Sequence, residues 1–559
     1  MLEPRLTAAE ARAQDITFVA QCSLDGLGDR LPLLWPIPDD VSPSPKLSYR
    51  SHYVYRRWED LNDPASWEHL SDFDLLLRLI DFSPLRDVLA ERLGWTSARG
   101  YIPFDPVSIF LLIGWRIVNG WSRTQLLKNL RNPLFASYAE RFGFEDSVFP
   151  TEGGLRHWLT ALGLHSQTGD TITVGEQDPV EVAVEYLNDL IEQSVALFLD
   201  AGFITPEAWS DGLICPDGMI HDAASRLRCG CVTDTCYQPT SSDKPRPCPA
   251  KEKDLRGCDC DTVKCVSICR RATPRDPQAR FIRYRGSNQP DTDDEQGDPK
   301  KGEPRYGYAS LPLLLADPTR RFHLILLDYF SPANARQEVP FAAQLLQLRS
   351  RYPTLHVKDV VGDAAFGYSC VLRVVHETLK ARRVIDLRAH QTDRDKSQWP
   401  LRGYDDKGRP ICTFGYPFTS NGFDFDKRRH KWFCGRACQN GRQPVVAIED
   451  LPDHPSECPY LHTDTEYGQV LNVGFSFEND GACRLVRDVA VGSPTWKRLY
   501  HRARNASESR NATFEHWALK RLPVYGEPRG KAFIFLADVW SNLTTLARLF
   551  REATAATGA

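Results

Sequence analysis

A chain of 559 residues is too long for a single hydrophobic core, and ordinary domain sizes predict about three or four folded units. It is 42 % apolar and has 13 tryptophans, which excludes a chain too polar to fold. The net charge of −4 argues against a protein that coats DNA with a wholly basic surface, but arginine-rich segments such as residues 498–521 can still bind phosphates locally.

The N-terminal segment and the apolar runs indicate the compartment. The first residues lack a basic end followed by an apolar run, so nothing there marks secretion. The longest apolar run, Val107 to Trp121, contains Arg116 and is shorter than a bilayer span. We therefore expect a soluble, cytoplasmic protein without a membrane partner. In that compartment, clustered cysteines indicate metal binding before disulfides.

Two regions precede the central part of the chain. Residues 1–70 are rich in proline and aromatic residues and predict an irregular arm. Residues 71–205 carry apolar residues at helical spacing and predict an all-α, DNA-binding domain. Further helices are expected there at Glu152 to Leu164 and at Pro179 to Ala201.

A helix-turn-helix is the predicted DNA-reading element of this region. One helix over Pro106 to Val118 breaks at Asn119-Gly120, and the next begins after Ser122, a suitable N-cap. The second helix carries the cations expected to contact DNA, which are Arg123, Lys128 and Arg131. The same pattern is also typical of a plain helical hairpin with a solvated polar face.

Residues 206–389 and 495–559 predict a ribonuclease-H-like α/β core. The apolar runs give the order strand, strand, strand, helix, strand, helix, strand. In that topology the first and fourth strands are neighbours. The first, LICPDGMI, carries Asp217 and the fourth ends at Asp363 in VKDVVGDAAFGY, so the two acids should meet although they lie far apart in sequence.

The C-terminal part of this core is expected to add a third acid. A helix over Trp496 to Leu522 carries Glu508, and a closing strand is predicted at Ala532 to Leu536 before a last helix at Ser541 to Glu552. Three converging carboxylates would form an oxygen-lined site for Mg²⁺ or Mn²⁺, the ions that activate water against phosphodiesters.

Each proposed metal ligand has rivals nearby, so the assignment depends on the ordered set of three acids. The rivals are Asp211 and Asp222 for Asp217, Asp359 for Asp363, and Glu515 for Glu508. Cations around Glu508 are expected to hold DNA phosphates. They are Arg502, Arg504, Arg510, Lys520 and Arg521. An exposed basic helix face would have the same composition.

Two cysteine-containing insertions interrupt the core. Residues 224–304 hold eight of the 16 cysteines, enough for two tetrahedral zinc sites: Cys229, Cys231, Cys236, Cys248, Cys258, Cys260, Cys265 and Cys269. Residues 390–494 read as loops and β-strands and offer a second zinc candidate, formed by Cys434, Cys438, Cys458 and His462. Reduced thiols without metal are the alternative for both sets.

Several of these motifs resemble bacterial insertion-sequence transposases of the DDE type, in the branch with an insertion between the second Asp and the Glu. The resemblance covers most of residues 70–559. PDG is similar to the first-Asp strand, RYGYAS to the second strand, VVGDAAFGY to the second-Asp motif and WKRLYHRARNASESRN to the Tyr/Arg/Glu helix. Two positions depart from the pattern: His501 stands where a Tyr is expected, with Tyr500 adjacent, and Glu515 stands where a Lys is expected.

The resemblance implies a transposase that cuts the terminal inverted repeats of a mobile element and joins them to target DNA. It implies a homodimer in the synaptic complex and Mg²⁺ as the working ion. Two other functions fit the same residues. One is a metal-dependent nuclease without strand transfer, and the other is a catalytically silent, zinc-containing DNA-binding protein derived from a transposase.

Overall fold

The computed structural model describes most of the chain. The described residues are 31–224, 228–229, 272–273, 276–284, 303–317, 322–387, 401–445, 467–477, 483 and 485–557, less short gaps at 39, 47, 60, 62–63, 68, 96, 145–147, 177, 205–208, 406 and 413. Over these ranges the chain is a mixed α/β protein. Among the helices described, none has an apolar stretch long enough to cross a membrane.

Helices dominate the N-terminal part, where polar side chains cap their first turns. Ser71, Asp105, Ser122 and Thr151 each accept a hydrogen bond from a first-turn amide. These helices are α1 (Asp72–Leu79), α2 (Leu85–Arg92), α3 (Pro106–Val118), α4 (Arg123–Leu130), α5 (Ala136–Arg141) and α6 (Glu152–Leu164). The irregular segment before them buries Trp35, Tyr53 and Trp67 in the same core and contains the two-residue strand β1 (Leu33–Leu34), which pairs with β2 (Ile80–Asp81).

A hairpin corrects the all-α expectation for this region. Strands β3 (Gln167–Val174) and β4 (Val180–Glu185) pair antiparallel, and helix α7 begins only at Leu187 and ends at Asp200. The predicted helix over Pro179 to Ala201 was therefore wrong in its first third. The sequence VEVAVE alternates β-branched and other residues, which favours a strand over a helical turn.

A five-stranded sheet forms the centre of the molecule, in the order β12-β11-β5-β14-β15. Its first two junctions are antiparallel, and its last two are parallel. The strands are β5 (Gly212–Pro216), β11 (Leu313–Ala316), β12 (His323–Leu327), β14 (Val357–Gly362) and β15 (Arg382–Ile385). Four of the strands are buried along nearly their whole length, as strands covered on both faces are.

A second sheet is built from strands that adjoin the central strands in sequence. Its order is β13-β10-β6, with β9 pairing with β10. The strands are β6 (Met219–Asp222), β9 (Arg280–Tyr284), β10 (Glu303–Ser310) and β13 (Phe330–Pro332), and a separate two-stranded pair is formed by β7 (Arg228–Cys229) and β8 (Ala272–Thr273). The first insertion thus leaves after β6 and re-enters through β9 and β10.

Four helices pack on the central sheet, and the first two of them connect its strands. They are α8 (Glu338–Arg351), α9 (Ser369–Arg373, continued by a π-helical turn at Val374–Thr378), α10 (Pro494–His516) and α11 (Glu527–Thr557). Helix α10 packs across β5, β11 and β14. Because α10 ends at His516, Lys520 and Arg521 do not lie on it, contrary to expectation.

Helix α11 replaces the predicted closing strand. Residues Ala532 to Leu536 are fully or almost fully buried and helical. An apolar run buried on every side has no amphipathic period, so sequence alone does not separate strand from helix there. Trp540 of α11 stacks on Phe110 at 5.3 Å between ring centroids and fits only because Gly114 has no side chain: a Cβ at Gly114 would lie 1.9 Å from its ring.

The second insertion contains small sheets with their own apolar cluster. Strand β16 (Leu401–Tyr404) pairs with β17 (Pro410–Cys412), and a three-stranded sheet contains β18 (Thr419–Asp424), β19 (Arg429–Phe433) and β20 (Val470–Gly474). Phe418, Trp432 and Leu471 are the centre of the cluster. The insertion joins the core through a fully buried ion pair between Arg383 and Asp488, with 2.6 Å between Nη2 and Oδ1.

Candidate active site

Asp217 and Asp363 follow neighbouring parallel strands at the same edge of the central sheet. Ile214 of β5 lies opposite Val360 of β14, and each acid lies three residues beyond its own strand partner. The carboxyl ends of parallel strands meet at one edge, so this register places the two acids side by side. The predicted meeting of the first and fourth strands is confirmed in this respect.

The two carboxylates are held by different local structures. Asp363 caps a short 3₁₀ turn (Ala364–Phe366), and its Oδ1 accepts a hydrogen bond of 2.8 Å from the amide of Ala365. Asp217 accepts a hydrogen bond of 2.5 Å on Oδ2 from the side-chain amide of Asn511, which lies on α10. Asp363 is exposed, whereas Asp217 is only partly exposed.

Burial raises the pKa of Asp217 to about 6. Removal from water disfavours the charged form, and the nearby carboxylate of Asp363 adds repulsion in the same direction. Arg510, the Asn511 hydrogen bond and Arg504 act against the increase. The cleft therefore disfavours the charged form of Asp217, and a cation bound beside it would stabilise that form.

Helix α10 forms the opposite wall of the cleft. Its residues Tyr500, Ala503, Arg504 and Ser507 line a space of about 340 Å³ together with the two acids. The helix is fixed over β5 by the carbonyl of Ala503, which accepts a hydrogen bond from the buried thiol of Cys215 at 3.5 Å. One cleft therefore contains two carboxylates and a guanidinium.

Glu508 lies on α10 next to the cleft, but its side chain is not among those that line it. It follows Arg504 by four residues and precedes Asn511 by three, and both neighbours face the cleft or Asp217. Its own carboxylate is 60 % exposed and pairs with Arg504 at 2.9 Å. In the ranges that the structure describes, no three His, Cys, Asp or Glu side chains stand close enough to hold a metal ion.

The donor set nonetheless fits a hard divalent cation. Asp217 and Asp363 supply oxygen ligands from rigid strand ends, and Glu508 offers an exposed carboxylate on the helix that forms the opposite wall. Carboxylates that repel each other in a partly buried site are stabilised by a bound cation. These three residues are the ones that could hold Mg²⁺ or Mn²⁺.

The rival acids lie in other ion pairs. Asp222 pairs with Arg305 on the second sheet at 2.8 Å, and Asp211 pairs with Lys358 at 2.5 Å at the start of β5, the opposite end from the cleft. Both contacts lie outside the residues that line the cleft.

The rivals of Asp363 and Glu508 also lie in other ion pairs, away from the cleft. Asp359 is buried within β14 and forms two hydrogen bonds with Arg382, of 2.6 and 2.7 Å. Glu515 pairs with Lys520 at 3.0 Å beyond the cleft. The geometry thus favours Asp217 and Asp363 over their sequence neighbours.

Arg510 is buried in the core, so its prediction as a phosphate contact was wrong. Its side chain is 0 % exposed, lies over the ring of Phe514 and pairs with Asp538 of α11 at 2.7 Å, with Asp328 at 3.8 Å. Burial and the neighbouring Asp538 raise the pKa of Asp328 well above its ordinary value. The arginine therefore balances a buried acid pair.

The other predicted DNA contacts near Glu508 lie on the surface. Arg502 is exposed on α10, and the Arg504 side chain is 44 % exposed at the cleft. Arg521 is exposed and donates to the carbonyl of Ala224 at 3.0 Å, and Lys520 is also exposed. Their binding of phosphate stays a prediction.

The helix-turn-helix residues are partly accessible. Helices α3 and α4 form with the predicted turn at Asn119-Gly120, and Lys128 and Arg131 are exposed. Arg123 pairs with Glu152 of α6. Lys128 on α4 and Arg131 at its C-terminal end are therefore the two predicted cations that lie on the open surface.

Sequence reasoning assigned no role to two residues of α10 that the structure places in or beside the cleft. Tyr500 lines the cleft, stacks on Trp496 at 4.4 Å and hydrogen-bonds Arg504, whereas His501 is exposed. The second is Asn511, which binds Asp217. The spacing of four residues between Tyr500, Arg504 and Glu508 was the available signal for Tyr500, because such residues share one helix face.

The predicted zinc ligands lie mostly beyond the described side chains. This applies to the eight cysteines of the first insertion and to Cys458 and His462. Cys434 and Cys438 are described and half-buried, and the Cys434 sulfur accepts a hydrogen bond of 3.1 Å from the amide of Gln469. Burial raises the pKa of the nearby Cys412 thiol, and the sulfurs of Cys434 and Cys438 add to the increase. Zinc binding stays a prediction.

Comparison of this chain with protein-family models, with curated proteins and with solved structures finds no match.

Proposed function

We propose that this protein is a DNA transposase of the DDE type, which cleaves DNA at the ends of a mobile element and joins the ends to target DNA. The observation that carries the proposal is the pairing of Asp217 and Asp363 at the ends of neighbouring parallel strands, opposite a helix that bears Arg504 and Glu508. The position of β5 beside β14 supports a ribonuclease-H-like core, because the first and fourth strands are neighbours in the topology predicted from the sequence.

Each residue of the cleft has its own role in the proposed reaction. Asp217 and Asp363 provide fixed oxygen ligands, and Glu508 completes the set when it leaves Arg504 and turns into the cleft. Bound Mg²⁺ or Mn²⁺ would polarise the attacking water or 3′-hydroxyl and stabilise the leaving oxygen. Arg504, once released from Glu508, contacts a phosphate of the strand being cut, with Tyr500 beside it.

Ion pairing between Arg504 and Glu508 supports this division of roles. The pair neutralises both groups while no phosphate is bound. A DNA phosphate would replace Glu508 as the partner of Arg504, and the freed carboxylate would then be available to the cation. Substrate binding and assembly of the third ligand are thereby linked in one exchange of partners.

DNA is the proposed substrate, and by resemblance a homodimer holds both element ends. The exposed Lys128 and Arg131 after the helical turn, with Arg502 on α10, are the proposed contacts to the phosphate backbone. Local basic surface of this kind is compatible with the chain's net charge of −4, because phosphate contacts depend on local charge.

The test uses the full chain with duplex DNA from both flanks of its own coding sequence, in the presence of Mg²⁺ or Mn²⁺. Asp363→Asn removes ligand charge with little change in shape. Asp211→Asn is the matched control, since Asp211 lies at the other end of β5 and is exposed. We expect the wild type and Asp211→Asn to nick the DNA, and Asp363→Asn to bind it without nicking.

Other outcomes separate the rival functions. Nicked product without joined product would indicate a nuclease that lacks strand transfer. Binding without any cleavage by the wild type would indicate a silent DNA-binding protein derived from a transposase. Equal cleavage by the wild type and Asp363→Asn would show that the cleft assigned here is not the active site.

A further inference from the structure

A chain of polar contacts connects the buried charge under α10 to the cleft. Arg510 is fixed by Asp538, and its Nη1 also approaches the side-chain oxygen of Asn511 at 3.5 Å. Asn511 in turn donates from its side-chain nitrogen to Oδ2 of Asp217 at 2.5 Å. Arg510 and Asn511, which are adjacent on α10, thus link a buried ion pair to the carboxylate of Asp217.

The two contacts of Asn511 define which way its amide points. A guanidinium can only donate, so Arg510 selects the amide oxygen, and the amide nitrogen is left to face Asp217. A carboxylate accepts that hydrogen bond only in a limited range of directions. Asn511 therefore sets both the position and the rotation of the Asp217 side chain.

Helix stability does not account for an asparagine at this position. Asn is less favourable inside a helix than Leu, Ala or Gln, and Asn511 lies within the 23-residue helix α10. Its side chain is partly buried and faces a carboxylate instead of water. Substitution of Asn511 would therefore remove its hydrogen bond to Asp217.

We propose that Asn511 is a positioning residue that holds Oδ2 of Asp217, so that Oδ1 is left to bind a divalent cation in the cleft. The inference rests on the proposed function, because it concerns the cation that Asp217 and Asp363 would hold. Hydrogen bonds that orient a ligand carboxylate affect metal affinity even though they do not touch the metal. Arg510 and Asp538 act one step further away, by orienting Asn511.

Binding of Mn²⁺ to the full chain without DNA tests this role directly. Mn²⁺ is titrated into the wild type, and the free ion is followed by electron paramagnetic resonance. Asn511→Leu keeps the approximate volume and removes the donor, and Asn511→Ala is the second variant. Asn505→Ala is the matched control, because Asn505 is exposed on the same helix.

We expect both Asn511 variants to bind Mn²⁺ roughly 10- to 100-fold more weakly than the wild type, as is usual for loss of an orienting partner. Asn505→Ala should bind as the wild type does. The Mn²⁺ concentration for half-maximal DNA cleavage should rise by the same factor, while the rate at saturating Mn²⁺ recovers. A general loss of structure would not give that recovery.

Two results would overturn the inference, and they are distinguishable. Wild-type Mn²⁺ affinity in a folded Asn511→Leu or Asn511→Ala protein would show that Asn511 does not position Asp217, while leaving the proposed function intact. Absence of any Mn²⁺ site that Asp217→Asn abolishes would remove the metal site itself, and the proposed function would fall with it.

Discussion

Arg504 and Arg510 lie on the same helix, less than two turns apart, in opposite surroundings. The side chain of Arg504 is 44 % exposed at the cleft and pairs with an exposed glutamate. Arg510 is fully buried and pairs with Asp538 inside the core. One short basic segment thus places an exposed cation on one helix face and a buried, structural cation on the other.

Replacing Arg510 should have the largest effect on stability. Arg510→Met would leave Asp328 and Asp538 buried without their cation. Removing one partner of a buried charge group costs about 3–5 kcal/mol. We expect the free energy of unfolding, measured with urea, to fall by that amount. A loss below about 1 kcal/mol would contradict the structural role given to Arg510.

Asp217→Asn tests how strongly the cleft disfavours charge. Because burial raises the pKa of Asp217 to about 6 from an unfolded value near 3.9, this group favours folding fully below pH of about 4. That contribution is lost as the pH rises through about 6. The uncharged Asn variant should therefore be more stable than the wild type at pH 8, by about 3 kcal/mol, with the difference shrinking toward pH 4.

Urea unfolding at several pH values between 4 and 8 measures this difference. Asp211→Asn is the control, since its exposed carboxylate should change stability little at any pH in the range. Equal stability of the wild type and Asp217→Asn at pH 8 would show that the charge on Asp217 is not disfavoured in the folded protein.

Replacing Arg504 should have the smallest effect on stability and a clear effect on DNA. Arg504→Met removes an exposed ion pair, which contributes about 0–1 kcal/mol. Loss of a charge-assisted contact to phosphate should weaken cleavage roughly 10- to 100-fold. Nicking assays and urea unfolding on the same preparation separate the two effects. Unchanged nicking would show that Arg504 does not contact the strand being cut.

The sequence predicts the cleft well where a local signal fixes geometry. Asp217 and Asp363 each end an apolar strand, and strand order alone brings those ends together. The predicted N-cap Ser122 likewise marks a helix start that the structure confirms. In these places a short stretch of chain determines the position of its own side chains.

The errors arise where distant packing decides. The run around Ala532 to Leu536 is helical because Trp540 and its neighbours pack into the N-terminal helices, which no local pattern reveals. Arg510 is buried because α11 supplies Asp538. Asn511 binds Asp217 through a contact between residues nearly three hundred positions apart, and neither residue type suggests the other.

The most direct test of the central claim is a crystal structure of the full chain grown or soaked with Mn²⁺, recorded at a wavelength where manganese scatters anomalously. We predict an anomalous peak within coordination distance of both Asp217 and Asp363, with Glu508 turned from Arg504 toward the ion. A cleft without a peak at saturating Mn²⁺, in a crystal where Asp217 and Asp363 are well ordered, would contradict the metal site and the function proposed from it.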